Sequence, residues 1–373
     1  MSPPFARIQQ LSAHLTSQTH YSKRFKVGVL GSGNWGTAVA KIVAENAAEK
    51  SLLFDKEVEM WVREEKVNGQ NLSEIINTTH ENVKYLEGIT LPSNLVAVTN
   101  IRQVAERADI LVINLPHQFL KPICEQLEGL DFSHKVAISC LKGINVSAKG
   151  CEMLSDYIYG RLGLWCGVLS GANIASEVAK EKFCETTVAF PQQPNYKAGD
   201  PDRELMYNLF QRPYFHVQVS DDTAGVSIGG ALKNVIAIGA GLVDGIGWGD
   251  NAKAAVMRRG LLEMIRFGQV YFPSCNPDTF THESAGVADL ITSCAGGRNV
   301  KIGKAFAATG KPVQTLEKEL LNGQSAQGVL TCKEVYELLK ETGRLHEFPL
   351  MVAIHDIIFE GLPIEQLPSR ILL

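Results

Sequence analysis

The stretch Val27-Gly28-Val29-Leu30-Gly31-Ser32-Gly33-Asn34-Trp35-Gly36-Thr37-Ala38-Val39-Ala40 decides the fold of this chain. Val27 to Leu30 is an apolar run suited to a buried strand, and Thr37 onward opens a helix. The glycines between them therefore form a G-x-G-x-x-G turn in the context that gives the pattern weight. Each glycine has a separate physical task. Gly31 permits a tight turn, Gly33 lets a pyrophosphate approach the backbone, and Gly36 lets the helix pack close to the strand. The helix N-terminus then directs free N–H groups and its positive dipole end at the anion. Gly31, Ser32, Gly33, Asn34, Trp35 and Gly36 are accordingly read as the cofactor turn of an adenine dinucleotide, with NAD favoured over NADP.

The residue that reads the adenosine ribose belongs at the end of the second strand, in Met60-Trp61-Val62-Arg63-Glu64-Glu65. Glu64 or Glu65 could accept from a 2'-hydroxyl, whereas Arg63 could pair with a 2'-phosphate or stack on adenine. The segment leaves these alternatives open.

Outward from the turn, strand-like and helix-like segments alternate. Strands are expected at Phe25 to Leu30, Val58 to Val62, Leu95 to Val98, Ile110 to Asn114, Val136 to Ser139 and Gly167 to Leu169, with Thr187 to Phe190 and Phe215 to Val219 closing the domain. Helices such as Thr37 to Asn46 and Ile101 to Arg107 lie between them. The fold class is α/β: an N-terminal Rossmann-like doubly wound parallel sheet covered on both faces, followed by a C-terminal all-α domain. After about Asp221 the strand signal stops, and helices are expected at Ala224 to Val243, Ala252 to Tyr271, Val300 to Ala308, Thr331 to Leu339 and Pro349 to Glu360. The expected organisation is an extension over 1–24, a dinucleotide-binding domain over 25–220 and a helical substrate and catalytic domain over 221–373.

The bulk properties agree with two globular domains. The chain has 373 residues, 45% apolar and 20% charged, and a net charge of −4. No uncharged apolar run is long enough to cross a bilayer, and no basic excess suits nucleic acid or an anionic membrane. Eight cysteines carry no C-x-x-C pair and no metal-ligand spacing, so no metal is expected. As reduced thiols they favour an intracellular compartment, with Cys140 and Cys294 read as small buried hydrophobes. The first two dozen residues lack acids. Within them Arg7 to Leu15 has the pattern of an N-terminal peroxisomal address, against a plain extension or a mitochondrial-type presequence.

Three loops follow predicted strands at the carboxyl edge of the sheet: Leu115-Pro116-His117-Gln118-Phe119, Cys140-Leu141-Lys142-Gly143 and Ser170-Gly171-Ala172-Asn173-Ile174-Ala175. Ligands of open parallel sheets bind at that edge, so the loops are expected to share a cleft. Further on, Lys233 and Asn234 sit inside the apolar, small-residue run Gly230 to Gly241. A buried ammonium is costly unless paired or used, which makes Lys233 a candidate general acid or clamp on a carbonyl oxygen. Asn234 could orient the same substrate or cap a local backbone group. Asp289 lies in the apolar run Gly286 to Ser293, where it could anchor Lys233 or cap a helix. Arg298, after Gly296 and Gly297, has the planar fork that holds a phosphate by paired hydrogen bonds. The polar, glycine-bounded Leu321 to Gly328 could close over a cofactor.

Taken together, Gly31-Ser32-Gly33-Asn34-Trp35-Gly36-Thr37, Ile75-Ile76-Asn77-Thr78, Pro116-His117-Gln118-Phe119, Gly171 to Glu177, Gly230-Ala231-Leu232-Lys233-Asn234, Gly296-Gly297-Arg298-Asn299 and Glu319 to Gln324 resemble the cytosolic NAD-dependent glycerol-3-phosphate dehydrogenases of eukaryotes, the fungal ones especially. The resemblance runs from about Phe25 to Pro368. It implies hydride exchange between NADH and dihydroxyacetone phosphate, giving sn-glycerol 3-phosphate for glycerol and glycerolipid synthesis, in a cytoplasmic homodimer. It makes Lys233 the catalytic proton donor and acceptor. Lys142, Asn234, Asp289, Thr292, Ser293, Arg298 and Asn299 would surround the substrate, with Arg298 and Asn299 on its phosphate. Arg63, Phe119, Lys142, Ala175, Arg298, Gln324 and Gln327 would join the glycine turn around the dinucleotide. Two positions depart from the family pattern, Arg63 for phenylalanine and Ser293 for threonine, and the first leaves the adenine contacts and NADP exclusion open. The rival readings are an NADP-linked dehydrogenase of small hydroxy acids and a non-catalytic NAD sensor.

Overall fold

The computed structural model describes residues 21–147, 150–321 and 325–371. Arg7 to Leu15 and Gln324 lie outside the described residues. The chain forms two compact units. The first takes the chain up to Leu141, Ile158–Leu169 and Asn173–Asp221; the second takes Lys142–Tyr157, Ser170–Ala172 and Asp222–Leu373.

In the first unit, strands β1 (Phe25–Leu30), β2 (Phe54–Trp61), β3 (Leu95–Val98), β4 (Ile110–Ile113), β5 (Val136–Ser139), β6 (Trp165–Ser170, its last residue in the second unit), β7 (Cys184–Ala189) and β8 (Phe215–Ser220) alternate with helices α1 (Asn34–Glu49), α2 (Leu72–Thr79), α3 (Ile101–Arg107), α4 (Leu120–Leu127), α5 (Leu154–Leu162, in the first unit from Ile158 onward), α6 (Ala175–Ala179) and α7 (Arg203–Phe210). The strands form one sheet in the order β8-β7-β6-β5-β4-β1-β2-β3. β1 pairs in parallel with both β2 and β4, with Val27 opposite Val58 on one side and Ile110 on the other. The winding thus reverses between β1 and β4, the topological switch point at which α/β sheets bind ligands. Every residue of β4 and β5 is buried, as strands covered by helices on both faces require. Helix α1 presses Val39, Ile42 and Val43 into the same core, and full burial of a side chain of that size contributes about 1.5–3 kcal/mol.

β2 begins at Phe54, before the expected Val58, because Asp55, Lys56 and Glu57 hide its first half from a hydrophobicity reading. The hairpin Ile144–Ser147 with Gly150–Met153 has no counterpart in the expected element string. It sends Ile144 and Met153 into the core of the helical unit, so Lys142–Tyr157 clusters there and the units are not separated by one cut near 220.

The second unit is built around α8 (Thr223–Gly245), followed by α9 (Asp250–Tyr271), α10 (Thr279–His282), α11 (Asp289–Ala295), α12 (Arg298–Thr309), α13 (Val313–Leu320), α14 (Gln327–Glu341), α15 (Pro349–Phe359) and α16 (Leu367–Ile371). Asp222 caps α8 by accepting from the Gly225 N–H at 2.8 Å, and its other carboxylate oxygen accepts from Thr279 Oγ1 at 2.7 Å. By length and hydropathy α8 could cross a membrane, yet every residue from Ala224 to Val243 is buried among the other helices. Its small residues serve packing. A Cβ on Gly241 would stand 2.3 Å from the Val300 carbonyl oxygen, and one on Gly303 of α12 would stand 2.3 Å from the Ile238 carbonyl oxygen. The two backbones therefore touch at reciprocal glycines. Gly303→Ala is expected to lower unfolding free energy by about 1–3 kcal/mol through overpacking, whereas Gly160→Ala, within α5 and with a Cβ that meets nothing within 4 Å, should raise it by about 0.4–1 kcal/mol. Urea denaturation compares the two, and equal stabilities would contradict the close crossing.

Candidate active site

The candidate site residues fall into two groups, one in each unit. In the first, β1 ends at Leu30 and the chain turns through Gly31, whose φ is +113° and whose added Cβ would lie 2.1 Å from the Asn114 carbonyl oxygen. Both facts exclude any other residue. A Cβ on Gly36 would meet the Gly31 carbonyl oxygen at 2.2 Å, so helix α1 sits against the turn itself. At Gly33 a Cβ would meet nothing within 4 Å. No protein atom demands glycine there, and the open approach fits an anion coming close to the backbone. Ser32 is buried, Asn34 is exposed and Trp35 is half-buried at the start of α1.

At the end of β2, Glu64 accepts from the Ser73 hydroxyl and, at 3.3 Å, from the Ser73 N–H. Glu65 is paired with Lys84. Both acids named as ribose readers have protein partners; Arg63 and Glu64 are exposed at that strand end and Glu65 is half-buried. Phe119, 43% exposed, closes the short turn His117–Phe119 after β4. Ala175 is the first residue of α6.

The second group centres on α8. Lys233 and Asp289 are both buried, and the Lys233 ammonium donates to Asp289 Oδ1. The other carboxylate oxygen, Oδ2, accepts from Lys142 Nζ at 3.2 Å. Two glycines make room for this. A Cβ on Gly230 would crowd Ser170 Oγ at 2.8 Å and lie 3.6 Å from the Lys142 side chain, and one on Gly229 would strike the Ala285 carbonyl oxygen at 2.4 Å. Ala285 belongs to a π-helical turn, Ser284–Ala288, bent at Gly286, where any Cβ would collide with the Phe280 backbone at 2.4 Å. Such turns recur where a side chain has to be re-aimed. Here it delivers Asp289 into the interior, which settles the helix-cap alternative for Asp289 against it.

Two ammonium groups on one carboxylate leave the cluster with an excess positive charge. Burial first, and the nearby Lys142 ammonium second, push the Lys233 pKa down to about 7, against the attraction of Asp289. Thr292 and Ser293 follow Asp289 by three and four positions on α11, hence on its face of the helix, and are half-buried.

Asn234 spends its amide N–H on the Gly230 carbonyl at 3.1 Å, and its oxygen accepts from Asn299 Nδ2 at 2.8 Å. Asn299 Oδ1 in turn accepts from the Gly328 N–H at 2.9 Å. The pair thus joins α8 to the first turns of α12 and α14, through residues that adjoin Lys233, Arg298 and Gln327 in the sequence. Arg298 is exposed at the first position of α12, after Gly297 with φ +96°, and Gln327 opens α14. Sequence reasoning missed Asn82, Ser284 and Gly286. Asn82 contacts the glycine turn from fifty residues away, Ser284 Oγ accepts from the Ala172 N–H at 3.2 Å, and none has a local signature.

Comparison with known proteins settles the family. The model for the N-terminus of NAD-dependent glycerol-3-phosphate dehydrogenase matches residues 26–196, and the model for its C-terminus matches residues 222–369. The chain belongs to the NAD-dependent glycerol-3-phosphate dehydrogenase family. It is 53% identical over 383 residues to glycerol-3-phosphate dehydrogenase 1 (NAD+) of Saccharomyces cerevisiae, covering 100% of this chain and 98% of that one. A glycerol-3-phosphate dehydrogenase 1 (NAD+) of Cyberlindnera jadinii is 55% identical over 379 residues, covering 100% and 96%. Among solved structures, a glycerol-3-phosphate dehydrogenase from Saccharomyces cerevisiae superposes with a TM-score of 0.90 at 55% identity, covering 94% of this chain and 100% of that one.

Asp289→Leu removes the counter-charge of both lysines in this glycerol-3-phosphate dehydrogenase family member. An uncompensated buried charge typically costs about 3–5 kcal/mol, so the variant should unfold at clearly lower urea than the wild type. Adding Lys142→Met should return part of the loss. A variant as stable as the wild type would contradict the ion-paired cluster.

Proposed function

We propose that the chain interconverts dihydroxyacetone phosphate and sn-glycerol 3-phosphate as an NAD-linked dehydrogenase, with Lys233 moving the proton at the carbonyl oxygen. The observation that carries this reading is the buried cluster of Lys142, Asp289 and Lys233. A pKa near 7 lets Lys233 hold a proton in one direction of the reaction and accept it in the other. The excess positive charge suits an oxygen that becomes an alkoxide in the transition state, where a fixed cation in a dry pocket is worth most. Asp289 keeps both ammonium groups aimed.

Arg298 at the start of α12 combines a guanidinium fork with the free N–H groups of a helix N-terminus, the chemistry a phosphate dianion calls for. Fixing the remote phosphate helps orient the carbonyl, so binding energy far from the reacting atom is used at it. Asn234 and Asn299 keep Arg298 in register with Lys233, and each retains a second amide hydrogen for substrate. Thr292 and Ser293 offer hydroxyls on the Asp289 face.

NAD supplies or accepts the hydride when bound. The open face of Gly33 takes its pyrophosphate, with Ser32, Asn34 and Trp35 completing the turn. Arg63, exposed at the end of β2, offers its guanidinium to stack on the adenine ring, with Phe119, Ala175, Gln324 and Gln327 as further contacts. A hydroxy-acid dehydrogenase needs no phosphate group at Arg298, and a sensor has no use for a buried ammonium near neutrality. The enzyme works in the cytoplasm as a homodimer, with Arg7 to Leu15 offering a peroxisomal address.

Purified protein should oxidise NADH when dihydroxyacetone phosphate is added, followed by loss of NADH absorbance, and absence of turnover with NADH and NADPH alike would sink the proposal. Lys233→Ala should lower kcat by about 100-fold or more, the usual weight of a general acid, with NADH binding unchanged; parallel loss of both would point to a structural role. The pH profile has a defined sign. Reduction needs protonated Lys233, so its kcat/KM should fall as pH rises through about 7, while oxidation of glycerol 3-phosphate should rise over the same range. Profiles flat through that range would contradict the assignment.

A further inference from the structure

Asn82 lies in the loop after α2 and is fully buried, although an asparagine in a loop ordinarily faces water. Its amide nitrogen donates to the Ser32 carbonyl oxygen at 2.9 Å and to Thr37 Oγ1 at 2.9 Å. Thr37 Oγ1 donates to the same Ser32 oxygen at 3.0 Å. Asn82 Oδ1 accepts from the Tyr85 N–H at 3.2 Å, which fixes which end of the amide faces the glycine turn. The loop is itself anchored. Leu86 N–H donates to the Asn82 carbonyl at 2.8 Å, the Leu86 side chain packs with Ala38 and Ala179, and Lys84 pairs with Glu65.

The Ser32–Gly33 peptide is trans, so its C=O and N–H point in opposite directions. Two donors hold the Ser32 oxygen toward the interior. The Gly33 N–H is thereby turned the other way, at the one glycine of the turn whose missing Cβ would meet open space. We infer that Asn82 is a positioning residue for the dinucleotide: through the Ser32 carbonyl it aims the Gly33 N–H at the pyrophosphate. The inference rests on the cofactor reading above and adds to it a residue that does not itself touch the ligand. It also gives buried Thr37 a role, since a valine of the same shape would leave the Ser32 oxygen with one donor and the Asn82 amide with one unmatched hydrogen.

The test is NADH binding to the full-length protein, read by fluorescence titration, with thermal melting beside it. Asn82→Asp keeps the size and the acceptor for Tyr85 but sets a carboxylate against the Ser32 oxygen, and should raise the NADH Kd about tenfold, a change of about 1.4 kcal/mol. Thr37→Val should raise it in the same direction by a smaller factor and serves equally if Asn82→Asp does not fold. At saturating NADH the KM for dihydroxyacetone phosphate should stay at the wild-type value. Leu209→Ala, which opens the core beside Asn46 at the far end of α1 from the turn, should lower the melting temperature and leave the NADH Kd unchanged. Wild-type Kd in both Asn82→Asp and Thr37→Val, or an equal rise in Leu209→Ala at matched loss of melting temperature, would overturn the inference. A wild-type protein that binds no NADH would overturn the cofactor reading and this inference with it.

Discussion

One buried carboxylate holding two ammonium groups is the constraint around which the helical unit is arranged. Asp289 is 2% exposed, and removing charges from water is costly unless each finds a partner. Lys233 reaches it from the middle of α8, where Asn234 is the polar residue beside it in a run of apolar and small side chains, and Lys142 reaches it beside Gly230. Such a pair is weak evidence of stabilisation, since apolar residues of similar shape commonly do as well. Its use is chemical. A lysine kept near neutrality by burial and by a second cation can give up a proton and take one back, which an exposed lysine does only at high pH.

Backbone contact is the means by which the chain reaches this arrangement. Where α8 approaches the Ser284–Ala288 turn, α12 and α14, glycine stands on one side or the other, at Gly229, Gly241, Gly303 and Gly328. A Cβ at any of them would lie 2.3–2.4 Å from a carbonyl oxygen, well inside van der Waals contact. The cofactor turn follows the same logic with one difference. Gly31 and Gly36 are fixed by protein atoms, while Gly33 faces open space. The three glycines of one motif therefore answer to two kinds of neighbour, the fold and the ligand.

Much of this was legible in the sequence. β1, the glycine turn and α1 announce themselves because strand, turn and helix each carry their own local pattern, and β4 and β5 read as continuous apolar runs because both faces are covered. Lys233 stood out because an ammonium in an apolar helix violates the usual partition. What could not be read depends on contacts between distant segments. The hairpin around Ile144 and Met153 has no strong alternation, so its membership in the helical unit is invisible locally. Asp289 looked equally suited to capping a helix, and only the bend at Gly286 decides otherwise. Glu64 and Glu65 read alike in the sequence, and their separate partners, Ser73 and Lys84, come from segments that no local pattern connects to them. Asn82 is an ordinary loop asparagine until its partners at Ser32 and Thr37 are seen.

The central claim is that Lys233 is held near neutrality by its surroundings. The most direct measurement is an NMR titration of the protein carrying carbon-13 at lysine Cε, with the Lys233 signal assigned through Lys233→Arg. The account predicts a midpoint at about 7, moving upward in Lys142→Met as the second cation is removed. A midpoint at the ordinary lysine value of about 10.4, unmoved by Lys142→Met, would contradict it.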